Sequence, residues 1–524
     1  MKRIGIVMFS LAAIASVLPG MLLASEKVFT NGSGDGKFST ELNWQGSAVP
    51  EKGDTIRFAA GTASAICDIP ALEIGGLAFE DTASFTIEGS ETLTFAGDAG
   101  LTRTSGDLTF NCPVSFAAGE HVLSSEGKLT FMGGISGEGN IEVACTMTKT
   151  LDIYGVNSDY TGDIVALNSY VLVHTHTGDN DGSTNIYPTG KENTLHARRL
   201  EFKNNNVRIS SDVVIYEATN GTSTPGVTDY TVGSGFRGDL TFMGKTRFRA
   251  SDPSAFVDGT TDIRVQLYPY FSKAAAVLTF NGPVIGGKYI TSASTKGTVV
   301  FKGAGAESSF NVTSTDKGES YRFMVEDAMP HAGVVNFSSD VGELWIAGNQ
   351  TCAVVSSGAA GAVHFVTSTV PSKLTMNATA NKSFGGRLLG DLSIDWAPTG
   401  NYTYTLSYAD AVHTMNGTLK VSGGTVKMCA GSEFSSLSNI VVSSGAKLTI
   451  PAGTVVNPNL ESIYVVDGAT LDLGEGVVLT PKWLFVNGEK TPLGETYGEG
   501  CGFVKGAGRI APRKGKGGLI LLLK

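Results

Sequence analysis

The sequence predicts an all-β chain wound into a right-handed parallel β-helix, with a capping segment at each end. Three observations carry that prediction. The first is an apolar–polar–apolar triplet that recurs as Leu77-Ala78-Phe79, Leu93-Thr94-Phe95, Leu108-Thr109-Phe110, Leu129-Thr130-Phe131, Leu240-Thr241-Phe242, Leu278-Thr279-Phe280 and Val299-Val300-Phe301. The second is its spacing: Leu278 to Val299 repeats the step from Leu108 to Leu129, and Leu240 to Leu278 is close to two such steps. A step of this size matches the short coil of a β-solenoid. The third is the abundance of glycine, 67 of 524 residues, with no long 3.6-residue periodicity beyond the N-terminus. Glycine suits coil corners that need positive φ, and the missing helical period leaves little room for helix.

Each triplet puts two large side chains on one face of a strand and a small polar one on the other. A lone strand cannot hide its Leu and Phe, but coils stacked about 4.8 Å apart merge those residues into one core. Leu108, Phe110, Leu129, Phe131, Leu278 and Phe280 are therefore expected to point inward, with Thr109, Thr130 and Thr279 outward. A row of antiparallel sandwich modules is the competing arrangement. It gives no reason for one triplet to return at a single coil length.

Residues 1–24 read as an export signal. Lys2 and Arg3 are its positive end, Ile4 to Leu18 its apolar core, and Leu22-Leu23-Ala24 precedes Ser25 as a cleavage site. Residues 25–75 then form an N-terminal capping segment and the first strands. In it Trp44 is expected to pack over the first coil. Residues 76–482 are the repeat body, where Val426-Lys427-Met428, Leu448-Thr449-Ile450 and Leu471-Asp472-Leu473 keep the rhythm at a similar step. Residues 483–524 are expected to close the far end, with Ile520, Leu521 and Leu522 as a last strand and Arg513, Lys514 and Lys516 at the rim, where charge discourages strand pairing.

The formal net charge is −10, and the acidic residues are scattered with no basic stripe, which argues against nucleic acid as a partner. No other apolar run reaches the ~18 residues of a membrane-spanning helix, so the mature chain is not expected to span a bilayer. Six cysteines stand far apart without a Cys-x-x-Cys pair, so spacing implies no zinc site, and burial as small apolar fillers is the reading for most of them.

Three clusters are candidates for a functional site. His174 and His176 share one strand face ahead of Asp179 and Asp181, a set able to hold a divalent metal, against the simpler reading of a solvated loop. Asp252, Asp258 and Asp262 around Phe256 offer paired carboxylates for acid–base work on a glycosidic bond, though no His lies near them in sequence. Tyr268, Tyr270 and Phe271 are candidate sugar-stacking aromatics, with packing against the coil as the alternative. None of these amounts to a catalytic, cofactor or metal site, and no cofactor is expected.

The opening of the mature chain, Asn43-Trp44, Pro50 and Gly53-Asp54-Thr55-Ile56-Arg57-Phe58, resembles that of bacterial exported proteins built from autotransporter-associated β-strand repeats. Tyr160-Thr161-Gly162 resembles the turn such repeats carry before a strand. Asn416-Gly417-Thr418-Leu419-Lys420-Val421-Ser422-Gly423-Gly424-Thr425-Val426 is similar to their core, and Val486-Asn487-Gly488 through Gly508 to their closing segment. These matches cover the two ends and about a third of the chain. The resemblance implies a passenger-like β-helix, without its own translocator barrel since repeats run to about residue 480. The functional expectation is an exported, non-enzymatic surface or secreted protein with an adhesive, cell-envelope or matrix role, its candidate partners being glycans or cell-surface components. A carbohydrate-binding β-helix, or a polysaccharide hydrolase or lyase, is the alternative.

Overall fold

A computed structural model of the chain describes residues 25–513 apart from short stretches between 146 and 362. The proposed leader, the closing Ile520–Leu522 strand, and Lys514 and Lys516 lie outside the described residues. The rest is a parallel β-solenoid with essentially no helix. A single 3₁₀ turn at Glu41–Asn43 is the exception, and no helix among the described residues is long and apolar enough to cross a membrane.

Each early turn carries three strands, one per face, and each face has its own inward column. Leu72, Leu93, Val114 and Ile135 form the first column. Ile56, Leu77, Leu101, Leu123 and Val143 form the second. Ala65, Ile87, Phe110, Phe131 and Ile153 form the third. All are buried, so the strands' alternation meets the solenoid's repeat at one continuous interior. One unbroken parallel ladder then runs through fourteen strands, one per turn, from Thr184–Asn185 to Trp483–Val486.

The expected register holds where it was read from one face. Leu108 pairs with Leu129, Leu278 with Val299, and Val426 with Leu448 and then Leu471. Identical residues stack in consequence: the rings of Phe110 and Phe131 lie 5.0 Å apart at 10°, and those of Phe301 and Phe323 4.6 Å apart at 8°. The double step from Leu240 to Leu278 is a different matter. Leu240 meets Thr261 and then Val284 on successive turns, whereas Leu278 pairs with Ala255. The two leucines belong to different faces, because the triplet is a recipe for any half-buried strand and marks no particular side. Thr109 and Thr279 are half-exposed as expected. Thr130 is buried at 7% exposure, beneath a surface where Lys128 reaches across to Asp152 at 2.5 Å.

At the N-terminal end Trp44 is buried among Phe29, Phe38 and Phe58, its ring 5.0 Å from that of Phe29, and its indole N–H donates to the Phe38 carbonyl at 2.8 Å. Gln45 N–H also bonds the Val28 carbonyl, so this segment lies along the edge of the first strand, Glu26–Phe29. At the other end Trp483–Val486 folds back through Asn487 and Gly488, both at positive φ, onto Glu489–Lys490. That pair of conformations makes a tight hairpin, which Asn-Gly favours, and it shields the last rung. Arg513 does not stand free at the rim. Its guanidinium donates to Asn459 Oδ1 at 2.8 Å and to the Leu460 carbonyl at 2.9 Å, so the charge fastens the tail to the body.

Candidate functional site

The motif residues prove to be structural where the chain is described. Asp54 accepts hydrogen bonds from Ser25 N, Ser25 Oγ and Glu51 N at 3.0, 2.7 and 2.9 Å. Burial works to raise its pKa, but these bonds and nearby Lys27 outweigh burial and hold it below the ordinary carboxylate value. Tyr160 is buried with its hydroxyl against the Gly139 and Asp163 carbonyls, both at 2.9 Å. Gly162 packs so closely on the turn before it that a β-carbon would stand 2.0 Å from the Gly139 oxygen.

The expected clusters fare differently. His174, His176, Asp179, Asp181 and Asp252 lie outside the described residues. Asp258 is exposed and accepts from Asn281 Nδ2 at 2.6 Å, while Asp262 is buried and paired with Arg264. Both carboxylates are thus engaged by a neighbour. Tyr268 and Tyr270 lie on a strand in register with Arg247 and Arg249. Phe271 is not an exposed aromatic. It is fully buried, and a β-carbon on Gly297 would collide with its ring, so its role is packing. Of the cysteines, Cys67, Cys112 and Cys352 are buried free thiols, and Cys429 and Cys501 are free and half-buried.

The feature with the most chemistry was not read from the sequence. The long first-sheet ladder stops at Val354–Ser357, and a separate six-stranded sheet starts on the following turn at Lys382–Phe384. The turn between them is long. Cys352 still finds its register partner Met376 at an ordinary coil length. Beyond them the Gly385 N–H donates to Ser357 Oγ at 2.6 Å across a separation of 28 in sequence, so extra chain has been let into the turn.

Core chemistry explains the break. Val335 and Val355 occupy one inward column, and Tyr404, Val426 and Leu448 form the inward column of the next sheet, in which Lys382 is the register partner of Tyr404. A lysine in that column would bury an unpaired ammonium, a cost far above one ladder bond. Lys382 turns outward instead and is exposed. Tyr404 fills the space from the turn behind, its buried hydroxyl donating to the Val355 carbonyl at 2.8 Å. The Val355 N–H meets Met376 Sδ at 3.5 Å. The backbone groups at the seam thus find side-chain partners in place of ladder partners.

Outside this seam lies an open groove of about 530 Å³ lined by Asn336, Ser356, Ser357, Asn381, Lys382, Ser383, Thr403 and Thr405. Ser356 Oγ donates to Asn336 Oδ1 at 3.1 Å, and Asn381 Oδ1 receives the Thr403 N–H at 2.8 Å, so part of the lining is oriented in advance. Among the described residues Lys382 has no ion-pair partner. The run Asn377-Ala378-Thr379-Ala380-Asn381-Lys382-Ser383, polar where neighbouring turns bring apolar residues, was the available signal.

The interior of the turns after the seam holds a histidine. His413 is 1% exposed, stacked on Phe434 with centroids 4.1 Å apart, and its Nδ1 accepts the Leu388 N–H at 3.1 Å. Burial, helped by the charge of Arg387, lowers its pKa to about 4.

Comparison of the chain with family models, with curated proteins and with solved structures gives no match.

Proposed function

We propose that this is an exported, non-enzymatic β-helical protein that works at the cell surface or in the secreted matrix, as an adhesive or structural element. The observation that carries the reading is the uniform body: one continuous interior beneath outward side chains that pair from turn to turn. Arg57 bridges Glu26 at 2.7 Å and Glu80, Lys420 meets Asp395 at 3.0 Å, and Lys447 meets Asp472 at 2.7 Å. Such a body makes a stiff spacer with an extended side, the geometry that repeat proteins use for surface contact. The leader-like character of residues 1–24 and the resemblance to autotransporter-associated repeats support export.

The test is location and maturation. Surface proteolysis and mass spectrometry of envelope and culture fractions should find a chain starting at Ser25. An intact Met1 terminus, with all of the protein in the cytoplasm, overturns the proposal.

A carbohydrate-active role is the second reading, and the groove is the observation in its favour. Its eight lining residues are hydroxyl, amide and ammonium side chains. Hydrolysis of a glycosidic bond ordinarily uses two carboxylates, so this lining supports holding a polar ligand better than cleaving one.

A further inference from the structure

We infer that the groove at the ladder seam binds a polyanionic glycan segment, with Lys382 as its charge-reading residue. The inference deepens the adhesive reading by naming a ligand class, and it rests on that reading only for the groove's meeting such a glycan outside the cell.

The argument begins with the outward column that crosses the seam. Asn336 pairs in register with Ser356 before it, and Ser383, Thr405 and Lys427 follow one another after it. Across these five turns, about 19 Å at the usual strand spacing, the side chains are amide, hydroxyl, hydroxyl, hydroxyl and ammonium. Two nearby outward columns carry neutralised charge, in Lys447–Asp472 and Lys420–Asp395. Here Lys382 and Lys427 are both exposed and have no carboxylate partner among the described residues. One free ammonium within the trough, that of Lys382, and a second on the turn after Thr405, that of Lys427, complement a ligand with spaced negative charges and many hydroxyls.

The seam supplies shape as well as charge. A regular rung would present a flat pleat, too shallow to enclose a chain of sugar rings. At the seam the expelled lysine and the extra residues of the turn open a cleft instead, and Ser357 and Asn381 are already committed to backbone N–H groups that hold its walls. A glycan oxygen entering there finds donors placed in advance, which lowers the ordering cost of binding.

The full chain should be tested by titration calorimetry against polygalacturonate, dextran sulfate and unsubstituted dextran. The expected result is binding of a charged polymer, weakened by salt, and no binding of plain dextran. Binding of polygalacturonate alone would assign a carboxylate ligand, and of dextran sulfate alone a sulfate ligand. Lys382→Gln should weaken binding about fivefold, as expected for one solvent-accessible charged contact, and Lys382→Arg should retain it. Ser383→Glu should abolish it by placing a like charge in the trough. Lys482→Gln, which removes a lysine already paired with Glu461 at 2.9 Å, should leave it unchanged. Equal binding of plain dextran, equal affinity of Lys382→Gln and the unmodified chain, or no binding of any of the three polymers overturns the inference. Surface location, measured separately, would stand or fall on its own.

Discussion

His413 makes the turns after the seam sensitive to acid, and the size of the effect follows from its setting. The neutral ring is stacked on Phe434 and accepts the Leu388 N–H through Nδ1, so protonation both charges a buried group and removes an acceptor. The folded-state pKa of about 4 lies below the ordinary histidine value of 6.5. The unfolded chain therefore binds the proton first. Stability from this residue is fully present above the unfolded value and is lost as pH falls toward 4. Linkage gives a loss of about 1.4 kcal/mol at pH 5.5 and about 2.5 kcal/mol at pH 4.5, with a ceiling of about 3.4 kcal/mol. Because a solenoid opens locally, the sensitive assay is amide exchange over residues 387–415 at pH 7.5, 5.5 and 4.5, corrected for intrinsic rates. Protection at the Leu388 amide should fall about tenfold between pH 7.5 and 5.5. His413→Gln, which keeps an acceptor but cannot titrate, should remove most of that fall. If the variant and the unmodified protein lose protection in parallel, His413 is not the acid-sensitive group and the reasoning fails.

Phe131→Ala should destabilise the early turns by about 3–5 kcal/mol, because the ring is 1% exposed and stacked on Phe110. A drop in denaturant midpoint of less than the equivalent of ~1 kcal/mol would contradict the stacking. Tyr404→Phe should cost about 1–3 kcal/mol by leaving the Val355 carbonyl without its buried donor, with the exchange change confined to turns beside the seam. Removing residues 483–524 should preserve the far-UV β signal while exposing the last rung. Light scattering should then show oligomers, and a persistent monomer counts against the closing role of that segment.

How much of the fold the sequence disclosed depended on whether one face could be followed. Leu108 to Leu129 and Leu448 to Leu471 were legible because both ends of each step lie on the same side of the coil. Leu240 to Leu278 misled because a period-2 pattern tells inside from outside but not one face from another. The N-terminal cap was legible for a different reason. Trp44 has no use on a flat outer face and was expected over the first coil, whereas the hairpin at Asn487-Gly488, a turn that this pair favours, was not foreseen in the closing segment.

The groove was hidden because it arises from a mismatch between turns, which no single turn displays. Lys382, read alone, is one polar residue in a polar run. Its meaning appears only when the inward columns of Val355 and Tyr404 are seen on either side of it, joined by the Tyr404 hydroxyl on the Val355 carbonyl. Of the candidate sugar-stacking aromatics Tyr268, Tyr270 and Phe271, for which packing on the coil was the alternative, Phe271 took that alternative and went to the core, because burying its ring is worth more than displaying it. In a repeat body the interior is satisfied almost everywhere, so a residue that cannot enter its column must be accommodated by the backbone. The cost is one broken ladder, and what it opens on the outside is a cleft whose chemistry is that of the excluded residue. Departures from the core column, rather than copies of known motifs, are therefore where function is to be sought along this chain.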